Sequence, residues 1–144
     1  MRILLASDHG GYLLKQQLLQ QLLLRGEHEA VDLGAYGPES VDYPRYARQL
    51  CQSLLSGVAE RGILLCGTGI GISIAANRYA GIRAALCHDE YSARLARQHN
   101  DANVLVLGGR TTGPAVAQAI VTVWLTTAFE GGRHQQRLDQ IEHG

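Results

Sequence analysis

The sequence has no surplus of either charge. Thirteen Lys and Arg balance thirteen Asp and Glu over 144 residues, and no long block of like charge occurs. Nothing electrostatic therefore points to nucleic acid or an anionic membrane surface as partner, and an anionic ligand has to be small and locally held. Also missing is any run of about eighteen apolar residues, the length a membrane helix needs. The start, MRILLASDHGG, carries one basic and five apolar residues before an acidic one and a glycine pair. It is too short and wrongly bounded for a secretory signal, so a soluble cytoplasmic protein is expected.

Cysteine is scarce and unpatterned. Cys51, Cys66 and Cys87 are odd in number, show no CxxC spacing and have no histidine pair at metal-ligand spacing nearby. A disulfide framework and a zinc site are both poor readings of that pattern. Cys51, inside a helical segment, and Cys87, at a strand end, read as small buried hydrophobes. Cys66 sits in a different setting.

What the chain does have is alternation. Short apolar runs, RILLAS (2–7), EAVDL (29–33), GILLC (62–66), IRAALC (82–87) and NVLVLG (103–108), are each followed by Gly, Asp or His, as buried parallel strands are. Helical segments fill the intervals. YLLKQQLLQQLLLRG carries a leucine stripe closed by Gly26, and GPAVAQAIVTVWLTTAF (113–129) opens with Pro114 in its first turn. Shorter helices are expected over 46–55, 72–80 and 89–99. Five strands alternating with helices in one domain predict a three-layer, doubly wound, Rossmann-like parallel sheet in the order 2-1-3-4-5. Ligands in such a sheet bind beyond the carboxyl ends of strands 1 and 3. The loops there are SDHGG (7–11) and CGTGIG (66–71).

The second loop carries the chemistry. Gly67, Gly69 and Gly71 allow positive φ and let N–H groups approach a ligand, and the helix that follows directs its N-terminal dipole at the same spot. The turn lacks the lysine and hydroxyl of a GxxxxGK[ST] phosphate loop and the full GxGxxG spacing. A bare strand-to-helix turn would read equally well without Cys66. Among backbone donors at a helix N-terminus, a thiol has its thiolate favoured and can attack a carbon or take a proton. As a nucleophile it would need a histidine such as His9 or His99; as a proton abstractor it would use the amides to hold an enediolate oxygen. The residues alone leave both open.

Other candidates have plain readings as well. His99-Asn100 could cap a helix or move a proton on a sugar ring. Asp8-His9 could cap the first helix. Tyr43, at a Pro-restricted entry, could pack or wall a sugar face. Arg110 follows strand 5, and Arg133 and Arg137, four apart in the tail GGRHQQRLDQIEHG, share one helical face. The three arginines are expected at one edge of the sheet, as a phosphate clamp.

The chain resembles type B ribose-5-phosphate isomerases, in the group that also holds allose-6-phosphate and galactose-6-phosphate isomerases. SDHGGYLLK, DLGAYGPESVDYPRYA, the block from Gly62 to Arg110 and FEGGRHQQRLDQIE carry the resemblance over nearly the full length. It implies a homodimeric aldose–ketose isomerase of the pentose phosphate pathway that needs neither metal nor cofactor. By the resemblance Cys66 is the base, the backbone of Gly67, Thr68, Gly69, Ile70 and Gly71 the anion hole, and Thr68 a hydroxyl partner. His99 opens the furanose, Asp8 and Asn100 hold sugar hydroxyls, and His9, Arg110, Arg133 and Arg137 surround the phosphate. Each site is built by two subunits, with residues 131–144 as the arm toward the partner; pairing of dimers into tetramers stays open. A glutamate branch of the family places its base where this chain has Ile72, so CGTGIGIS belongs to the cysteine branch. Allose 6-phosphate as substrate, or a non-catalytic sugar-phosphate module, are the alternatives.

Overall fold

A computed structural model describes every residue from Met1 to Gly144. Its elements are β1 (Arg2–Ser7), α1 (Tyr12–Arg25), β2 (Glu29–Asp32), α2 (Tyr43–Leu55), β3 (Arg61–Cys66), α3 (Ile70–Ala76), β4 (Ala84–Leu86), α4 (Glu90–Gln98), β5 (Val104–Gly108), α5 (Pro114–Thr126) and α6 (Arg133–His143). A single 3₁₀ turn, His9–Gly11, precedes α1, and Gly26 ends that helix in the left-handed conformation. Helix α2 begins earlier than its apolar spacing predicts because Pro44 suits a first helical turn.

The sheet is parallel throughout and three-layered, as expected. One apolar layer joins one face of β1, β3 and β5 to α1, α4 and α5, with Trp124 and Leu18 buried; the other joins the opposite face of the same strands to α2 and α3 through Leu50, Cys51 and Ile72. Strand order departs from the prediction at one edge: it is β2-β1-β3-β5-β4, so β5 and not β4 lies beside β3. Burial gives the reason. Val104, Leu105, Val106 and Leu107 are wholly inaccessible and find strands on both sides, whereas β4 has three residues, each only half-buried, and suits an edge. Stepping past one position to β4 and back to β5 reverses the direction of travel. Right-handed crossovers then put α3 and α4 on opposite faces, as observed.

Helix α6 lies against its own chain. Leu138 and His134 are buried, and Glu142 accepts from the Gly81 N–H at 3.2 Å and reaches Arg83. Arg133 and Arg137 stay exposed on its other face. No helix is long and apolar enough to cross a membrane.

Candidate active site

Three loops meet at the carboxyl edge of β1, β3 and β5. Gly109 N–H donates to the Cys66 carbonyl at 2.8 Å and Arg110 N–H to the Gly67 carbonyl at 2.9 Å, tying the loop after β5 to the turn after β3. The loop after β1 is pressed into both. A Cβ on Gly109 would fall 2.4 Å from the Gly10 carbonyl oxygen, and one on Gly10 would fall 2.9 Å from the Gly67 nitrogen. Backbone touches backbone here, which only glycine permits.

Within that junction Cys66 closes β3, nearly buried at 5% exposure, and its Sγ accepts the Gly69 N–H at 3.1 Å. Gly69 has φ 80°, a left-handed conformation that turns its amide back onto the sulfur and starts α3. The Thr68 hydroxyl accepts from Ile70 N–H at 3.2 Å on the exposed side of the same turn. Asp8 caps the 3₁₀ turn by accepting from Gly11 N–H at 3.2 Å, as its plain reading has it, while its second carboxylate oxygen makes no bond within the chain. His9 is oriented: its Nδ1 accepts the Val41 N–H at 3.1 Å, so the proton sits on Nε2, a free donor. The Tyr43 ring lies over the turn, where a Cβ on Gly71 would come within 2.6 Å of its Cζ. Arg110 is exposed, its guanidinium 3.3 Å from the Cβ that Gly67 lacks. Asp8, His9, Tyr43, Cys66, the 67–71 turn and Arg110 thus share one crevice.

The remaining candidates do not join them in one chain. Cys66 is level with Gly108 in the register of β3 and β5, whereas His99 and Asn100 precede Val104 at the opposite end of β5. At about 3.3 Å per strand residue, the strand alone separates the two ends by over ~13 Å. Helix α4, running antiparallel to the strands, spans a similar length at about 1.5 Å per residue. Arg133 and Arg137 follow His99, not Arg110, because α6 is seated at the amino edge beside α4 and the start of β4. The expected convergence of three arginines at one edge is therefore corrected: within a single chain Arg110 is at the carboxyl edge and the tail arginines at the other. Loops that precede strands and loops that follow them open on opposite ends of a parallel sheet.

At the amino edge two residues were not singled out from the sequence. The rings of His99 and His134 stack at 4.2 Å between centroids and 12° between planes, and Glu130 faces both. Burial, with His99 and Arg133 beside it, holds His134 below the usual imidazole range. Lys15, fully buried, was missed too: it donates to Asp32 and to the Ala35 carbonyl at 2.7 Å, fixing the loop after β2. The other thiols are as expected, burial pushing Cys51 up to about 12 and Cys87 up to about 11.

A thiol set among amides at the switch point of a doubly wound sheet defines a small-molecule enzyme of the α/β class. Comparison with known proteins narrows the class. The ribose/galactose isomerase family model matches residues 3–141. Ribose-5-phosphate isomerase B of Escherichia coli is 49% identical over 140 residues, covering 97% of this chain and 93% of its own. A ribose 5-phosphate isomerase of Thermotoga maritima has a TM-score of 0.97 at 54% identity, over 99% of this chain and 98% of that one. The type B ribose 5-phosphate isomerase of Trypanosoma brucei follows with 0.94 at 48%, over 98% and 96%. The chain belongs to the ribose/galactose isomerase family, and it is an aldose–ketose isomerase.

Proposed function

We propose that the chain interconverts D-ribose 5-phosphate and D-ribulose 5-phosphate through an enediolate, with Cys66 as the base. The observation that carries this is the Cys66 sulfur at the end of β3 with the Gly69 N–H on it at 3.1 Å. The thiolate takes the proton from C2 of the aldose and returns it to C1, while the negative charge on the sugar oxygens is met by the amides of residues 67–71. Thr68 passes protons between O1 and O2. The free oxygen of Asp8 accepts a sugar hydroxyl, Tyr43 walls the sugar, and the donor Nε2 of His9 with Arg110 holds the phosphate.

His99 as the ring opener, Asn100 as a hydroxyl contact, and Arg133 and Arg137 as phosphate ligands then have to come from a second copy of the chain. Their separation from Cys66 along β5 supports a homodimer with two shared sites, the exposed face of α6 serving the partner. A cytoplasmic setting in the non-oxidative pentose phosphate pathway accompanies this reading. Cys66→Ala tests it: turnover of ribose 5-phosphate should fall by about a hundred- to ten-thousandfold, with phosphosugar binding kept. Undiminished kcat in that variant would sink the assignment of the base.

A further inference from the structure

Isomerisation as proposed uses His99 but gives no work to the two groups that face it. His99 ends α4, Glu130 lies just before α6, and His134 is in the first turn of α6. His134 Nε2 stands 3.5 Å and His99 Nε2 3.9 Å from the same oxygen of Glu130, and the three donor atoms lie within 4.8 Å of one another. In a tetrahedral zinc shell, with bonds of about 2.0 Å to nitrogen and oxygen, neighbouring donors are separated by about 3.3 Å. The required contraction is about 1.5 Å at most.

The group can make that movement without unfolding anything. The His134 side chain is 7% exposed and fixed, while those of His99 and Glu130 are 39% and 52% exposed and able to turn. Their backbones are tethered: Glu130 N–H donates to the Gln98 carbonyl at 3.0 Å, His134 N–H to Gly131 at 3.1 Å and His99 N–H to Leu95 at 2.9 Å. Two imidazoles and one carboxylate, with a fourth position left open, form the donor set of open zinc sites, and imidazole nitrogen favours zinc over the hard alkaline-earth ions. The spacing rule applied to the sequence cannot see it, because the first histidine is far from the other two donors in the chain.

We infer that His99, Glu130 and His134 form a site for one zinc ion per chain, and that its occupation withdraws His99 from the sugar and slows the isomerase. The second half rests on the role of His99 proposed above; the first does not. Calorimetric titration with zinc tests the site in the Cys66→Ala protein, which removes the thiol of the catalytic turn as a competitor. One ion per chain is expected there, with affinity lowered about tenfold or more when Glu130→Gln or His134→Gln is added. Equal zinc affinity in all three proteins, or no zinc bound by the parent, would overturn the site. Assays with Cys66 present test the brake: zinc should inhibit the native protein and spare Glu130→Gln, whose metal-free turnover is unchanged. Equal inhibition of both overturns the brake and assigns it to another group. Zinc bound at the cluster with turnover unaffected overturns the brake together with the role of His99, and leaves the metal site standing.

Discussion

Cys51, Cys66 and Cys87 differ in surroundings rather than in kind. Cys51 and Cys87 are held protonated by burial, with pKa values pushed up to about 12 and about 11. Near pH 7.5 fewer than about one in a thousand of either is a thiolate, and the thiolate is the reactive form. Iodoacetamide at that pH is expected to give one adduct per chain, on Cys66, with loss of turnover in step and protection by ribose 5-phosphate. Peptide mass spectrometry checks it; early labelling at Cys51 or Cys87 would contradict the burial argument. At this scale the sequence was most legible where a residue ends a strand or comes within two residues after it. Asp8, His9, Cys66 and Arg110 each do, and a parallel sheet delivers all such loops to one edge. Glu130 and His134 were not legible, because what gives them meaning is a stacking partner brought in by the folding back of α6.

Among the elements, β4 and β5 show how far an apolar pattern reaches. Both runs read as strands, but IRAALC yields only three paired residues and VLVLG five, and the longer, wholly buried run takes the inner position. Consecutive strands are neighbours often enough to make 2-1-3-4-5 the natural expectation; the unequal burial of the two runs is what overrides it. A second element-level feature joins α1 to the loop after β2. The Lys15 ammonium lies fully inside, bonded to Asp32 and the Ala35 carbonyl, and Asp32 also accepts the Gly34 N–H at 2.9 Å. Lys15→Met should destabilise the fold by about 2 to 3 kcal/mol, below the full cost of breaking a buried pair because Asp32 keeps some access to water. Urea denaturation measures it, and an unchanged midpoint would show that the pair contributes nothing net.

For the whole molecule the decisive quantity is the length of β5, which keeps Cys66 and His99 at opposite ends of one sheet. Cys66→Ala and His99→Ala proteins should each be nearly inactive alone. Mixed under conditions that exchange subunits, they should recover about a quarter of native activity, since half the dimers are hybrids and each hybrid has one site with both residues intact. No recovery, after exchange has been verified by mass, would mean that each chain builds its own site.

In the homodimer proposed above, half-sites at the two ends of a single sheet would also give a duplicated gene two separable targets. One copy could lose its thiol and the other its histidine, and the pair would still keep one working site while neither product worked alone. The hybrid of the two inactive variants is that division of labour made in a single step, so a symmetric enzyme of this design lies two substitutions away from an obligate pair of unlike subunits.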